Sequence, residues 1–186
     1  KSREQGPPSD SHGCGIACSG VGNPINTASL NKYQNEVDFV GPGQLPLRIS
    51  RHYNSLWADA TVNNGRFGQG WSSNLGERLA AIQIPPPNDP NPVYNVLIEN
   101  ETGYRYRITS TDNSEWTTTE GRPVNFKWDD VNETFTLFED GLTKIFLKSG
   151  FLEIVMHSSG ETLEYEYKNG TTWGELESIV HSNGST

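Results

Sequence analysis

Apolar and polar residues alternate with a period of two along much of this chain. In Leu163-Glu164-Tyr165-Glu166-Tyr167 the alternation is complete. Leu163, Tyr165 and Tyr167 share one face and the two glutamates the other, as in a half-buried strand. Lys32–Phe39 repeats the pattern, with Tyr33, Val37 and Phe39 on one side. Leu45–Tyr53 would put Leu47, Ile49, Arg51 and Tyr53 on one face, with Arg51 among apolar neighbours. A strand is predicted from Trp71 to Ile84, ended by Pro85-Pro86-Pro87 because proline cannot donate to a ladder. Val93–Ile98 and Tyr104–Ile108 are predicted to pair around Glu101-Thr102-Gly103. Val124–Trp128 and Thr134–Phe138 flank a second turn at Asp129–Glu133.

The last third is the most regular. Glycines stand at 141, 150, 160 and 170, a turn about every ten residues. Between and after them the pattern predicts strands at Leu142–Leu147, Leu152–His157, Thr162–Tyr167 and Leu176–His181. No window shows a sustained 3.6-residue period with caps. The expected fold is therefore all-β: an antiparallel meander of hairpins forming a twisted open sheet or partial β-shell, with very little helix. The final strand should leave an edge that a further strand would cover. Residues 1–21 read as a flexible lead-in rich in Gly, Pro and Ser, and 22–186 as a single β domain divided at about 84 and 139.

Composition narrows the function. A net charge of −9 argues against nucleic acid, which needs clustered Lys and Arg. No run of about 18 apolar residues is present, so membrane insertion by a helix is not expected. Lys1–Gly22 lacks an apolar core segment, so no signal peptide is expected within this chain. The two cysteines, Cys14 and Cys18, are close enough for a small disulfide loop, with free thiols or a metal-ligand pair as the other readings.

No convergent catalytic group emerges, and the expectation is a protein that is not an enzyme, without cofactor or metal. His52, His157 and His181 are candidate bases, yet Gly-x-Ser-x-Gly and His-Glu-x-x-His are both missing. Single histidines at strand ends read as surface groups. Glu164 and Glu166 lie about 7 Å apart on one strand face, which resembles a glycosidase pair only superficially and reads better as solvated charge. Trp57, Trp116, Trp128 and Trp173 could stack on sugar rings or fill a thin β core. The four Asn-x-Ser/Thr sequons, at Asn100, Asn132, Asn169 and Asn183, fall at expected hairpin tips.

Three blocks in order carry a family resemblance. The first is Gly22-Asn23-Pro24-Ile25-Asn26 with Asn31-Lys32-Tyr33-Gln34. The second joins Gly41-Pro42-Gly43, Leu45-Pro46-Leu47 and Arg51-His52-Tyr53-Asn54-Ser55. The third is Gly65-Arg66-Phe67-Gly68-Gln69-Gly70-Trp71. Together they resemble the domain that opens the repeat region of bacterial Rhs/YD-repeat (polymorphic toxin) proteins, with residues 22–84 matching well. Tyr165-Glu166-Tyr167-Lys168-Asn169-Gly170 with Gly174-Glu175-Leu176 is similar to a degenerate YD repeat, in which Lys168 and Glu175 replace the family's Asp and Arg.

The resemblance implies a non-catalytic segment that begins a β-shell around a C-terminal toxin or effector domain. Its partners would be the downstream shell repeats and that enclosed domain, and the protein would be secreted or delivered at the bacterial cell surface. The structural motif residues would be Asn23, Pro24, Asn26, Arg51, Tyr53, Asn54, Gly68, Gly70 and Trp71. The alternative is a carbohydrate-binding or protein-interaction β-module, with a glycan or a strand-adding chain as partner.

Overall fold

The computed structural model describes residues 25–26, 31–55, 67–86, 88–168 and 174–185. Within these the chain is almost wholly antiparallel β, and its sheets are open rather than closed into a barrel. It divides into two compact units. The smaller comprises residues 1–39, 48–76 and 99–105, and the larger 40–47, 77–98 and 106–186.

The smaller unit holds a four-stranded sheet of β1 (Ile25–Asn26), β2 (Asn31–Val40), β3 (Arg48–Asn54) and β4 (Trp71–Ser73), paired in chain order. β3 meets β4 with His52 opposite Ser72 and Tyr53 opposite Trp71. The strand expected from Trp71 to Ile84 is two strands, separated by a single 3-10 turn at Asn74–Gly76. The reason is Asn74. Its Oδ1 accepts the Ser50 N–H at 2.9 Å and its Nδ2 donates to the Arg48 carbonyl at 2.7 Å. A side chain thus takes the ladder position that the backbone would otherwise fill.

The larger unit holds two sheets. One runs β5 (Arg78–Gln83), β6 (Tyr94–Glu99), β7 (Arg105–Ser110), β8 (Trp116–Thr118) and β9 (Pro123–Val124). The other runs β10 (Phe126–Asp129), β11 (Thr134–Glu139), β12 (Leu142–Leu147), β13 (Leu152–His157), β14 (Thr162–Tyr167) and β15 (Leu176–His181). The last four have the bounds that the ten-residue glycine rhythm predicts. Every neighbour in this sheet is the next strand in sequence, so among the described residues β10 and β15 stand at its two ends. One glycine fixes the packing. Gly150 turns with φ +90, and a Cβ there would lie 2.3 Å from the Leu79 carbonyl oxygen. That closeness lets Leu79 donate to the Gly150 carbonyl at 2.8 Å.

The two sheets share an apolar interior. Tyr94, Trp116, Phe126, Phe135 and Trp128 form a chain of ring contacts with centroids 4.4 to 5.9 Å apart. Val96, Ile98, Ile108, Leu137, Phe146 and Leu152 complete it, all 1% exposed or less. Full burial of such a side chain is worth about 1.5–3 kcal/mol. The Trp116 indole N–H has no acceptor there, so this ring contributes area rather than a hydrogen bond.

Candidate functional site

The expected structural motif residues divide by face. On β3, Ile49, Arg51 and Tyr53 share one face, as the alternation predicts. Ser50, His52 and Asn54 are buried, while Ile49, Arg51 and Tyr53 are partly exposed. Ring and cation groups meet on the open face. Arg51 gives Asp38 two hydrogen bonds, from Nε at 2.6 Å and from Nη2 at 2.7 Å. Its guanidinium carbon sits 5.5 Å from the centroid of Phe67 and 5.2 Å from that of Trp71. Trp71 contacts Tyr53 at 5.3 Å, and the Lys32 ammonium lies 5.7 Å from the Tyr53 ring. Arg51 was expected among apolar neighbours; its contacts are the rings of Phe67 and Trp71, and its anchor is the Asp38 carboxylate. The hydrogen bonds from Arg51, with its charge added, hold the Asp38 carboxyl below the usual range despite some desolvation. A fork-shaped cation between two rings has little freedom to turn, which fixes this face more than it stabilises the fold.

The glycine block supports that face. Gly68 and Gly70 take φ of +100 and +76, Gly70 accepts the Asn54 N–H at 2.8 Å, and Trp71 follows directly. Asn26 lies on β1 opposite Asn31. Asn23, Pro24, Cys14 and Cys18 lie outside the described residues, as do Trp57, Trp173 and the sequon at Asn169.

The other face of the same sheet is a buried polar cluster. The Tyr33 hydroxyl meets His52 Nδ1 at 3.2 Å. Ser72 Oγ donates to the Thr102 carbonyl at 2.6 Å and lies 3.3 Å from the His52 carbonyl, so it is not aimed at the imidazole as a nucleophile would be. Ser55 Oγ accepts the Lys32 N–H at 2.8 Å and donates to Asn31 at 3.1 Å. The expectation of surface histidines fails here and again at His181. Both rings are buried because each is given polar partners. His181 Nε2 meets the Leu45 carbonyl at 2.9 Å, while its Nδ1 accepts the Asn183 N–H at 2.9 Å. These contacts fix Nε2 as the protonated nitrogen.

Two further arrangements had no signal in the sequence. Glu161 Oε2 accepts the N–H groups of Gln44 and Leu45 at 2.9 and 2.8 Å, and with His181 it pins the Gly41–Leu47 loop. Gly43 turns there with φ +114, a conformation that a side chain would strain. Those N–H donors hold the Glu161 carboxyl below its ordinary value. Lys144, buried on β12, pairs with Glu77 at 2.7 Å and Glu139 at 3.2 Å. Burial pushes its ammonium down, but the two carboxylates outweigh that and hold it above the ordinary lysine value.

Glu164 and Glu166 are exposed as expected, and Glu166 accepts a hydrogen bond from Ser178. Trp116 and Trp128 are core residues, so two of the four candidate sugar platforms present no free face. Among the described residues, no group of three or more His, Cys, Asp or Glu is placed to hold a metal ion.

No curated protein matches this chain. Residues 22–85 match the family model of a domain of unknown function, DUF6531. The matched span contains both the ring-and-cation face and the buried polar cluster of β2–β4, so it is to this domain that the candidate site is similar.

Proposed function

We propose that this chain is a non-catalytic structural segment that begins the β-shell of a secreted Rhs/YD-repeat protein enclosing a C-terminal effector. Three features support the reading: the DUF6531 match over residues 22–85, the motif blocks within it, and the glycine-paced meander that follows. The observation that carries it is the strictly sequential order β10 to β15, which ends on an edge strand. A sheet built this way grows by adding the next hairpin, and an uncovered edge is otherwise prone to pair with foreign chains. The ring-and-cation face would then serve as a rigid wall.

The test is the polypeptide that follows Thr186 in the native gene. YD-type hairpins are expected there, and co-expression with them should slow hydrogen exchange at the β15 amides. If no such hairpins follow, or if β15 exchanges equally fast beside them, the reading fails. A second reading, a glycan-binding module, draws on the partly exposed rings of Tyr53, Phe67 and Trp71. Saturable binding on a glycan array, lost in Trp71→Ala, would favour it.

A further inference from the structure

The buried positions of β2, β3 and β4 are occupied by Asn31, Ser50, His52, Asn54, Ser72 and Ser73, and no large apolar side chain is among them. Such an interior stands on directed bonds, and His52 is its one imidazole. We propose that His52 makes the β1–β4 sheet acid-sensitive: the neutral ring fastens β3 to β2 through Tyr33, and mild acid loosens this sheet while the apolar interior around β11 and β12 holds.

The geometry carries the argument. His52 is 5% exposed, and its Nδ1 is the atom that meets the Tyr33 hydroxyl. Burial first, and Glu101 second, push the Tyr33 phenol above its ordinary value, so it remains an O–H able to donate to Nδ1. With the hydroxyl donating, Nδ1 is the acceptor, a role only the neutral ring can fill. Protonation places N–H against the Tyr33 hydroxyl and leaves a cation in a buried position. The charged groups facing the ring are Glu101, which favours the cation, and Arg48, which opposes it. Burial outweighs Glu101, so the ring sits below the ordinary histidine value. The sign follows: the fold prefers the neutral ring, so the stability this preference adds is complete above the ordinary value of 6.5. It is lost as pH falls from there through the native value of the ring.

Hydrogen exchange of the whole chain from pH 8 to pH 5, corrected for intrinsic rates, tests the proposal. Protection of the β2 and β3 amides should fall about tenfold per pH unit below the ordinary histidine value. The fall should level off where the His52 ring itself titrates, read from its own proton resonance in the unaltered chain. Amides of β11 and β12 should not follow. His52→Gln should remove the acid step, and Tyr33→Phe should lower β2–β3 protection at pH 8 and shrink the step. Protection independent of pH, a fall that continues past the ring's own titration, or an acid step retained in His52→Gln would each overturn the proposal.

Discussion

The two units bury different chemistry. Every large apolar side chain that is buried among the described residues belongs to the larger unit, from Leu45 and Leu79 to Ile179. In the smaller unit the buried described side chains are amides, hydroxyls, one imidazole and the Glu99 carboxylate. Apolar burial is non-directional and scales with area, so the larger unit draws stability from many interchangeable contacts. A polar interior is directional: each bond nets about 0.5–1.5 kcal/mol when made, and costs more when a buried partner is left unpaired. The smaller unit should therefore be the more exacting in geometry and the weaker in total.

The sharpest way to break this contrast is to truncate one residue in each interior. Phe135, fully buried between Phe126 and Trp128, should cost about 3–5 kcal/mol as Phe135→Ala, read from urea denaturation followed by far-ultraviolet circular dichroism. Asn74→Ala removes the two bonds that close β3 against the 3-10 turn, and should cost about 1–3 kcal/mol in the same assay. If Asn74→Ala proves the costlier change, the ranking of the two interiors is wrong. The smallest effect is expected on the open face. Arg51→Lys removes the fork that grips Asp38 and its stacking on two rings, but the pair is exposed, so the urea midpoint should not move measurably. The fluorescence of Trp71 should change instead, since its cationic neighbour loses its fixed place. A large loss of stability would show that this face holds the unit together.

How much of this was legible beforehand follows from the same contrast. Where alternation and turn chemistry agree, as from Leu142 to Tyr167, strand bounds could be read directly, because glycines with positive φ stand at 141, 150 and 160. On β3 the alternation grouped Ile49, Arg51 and Tyr53 on one face but left open which face is buried. Periodicity follows hydrophobicity, and a polar interior inverts that signal. The alternation of Ser50, His52 and Asn54 was present, but small polar residues at period two look the same on a solvated face. Arg51 on a shared face with Ile49 and Tyr53 was foreseen, whereas its partner Asp38 lies thirteen residues back on another strand. Nothing in the sequence marked the break at Asn74, because it depends on where β3 happens to pass.

By itself the sequence determined the all-β class, the hairpin rhythm after residue 140 and a block of motifs over residues 22–84, within the span that the DUF6531 family model matches. These are local properties, set by side-chain period, by proline and by the dihedrals that glycine permits. Only the tertiary structure decided which face of each strand is buried, that His52 and His181 are interior, and that Glu161 and Lys144 find partners up to 117 residues away. Those outcomes rest on buried polar groups finding mates. A polar group is satisfied by whatever the fold brings within about 3 Å, and sequence distance carries no record of that.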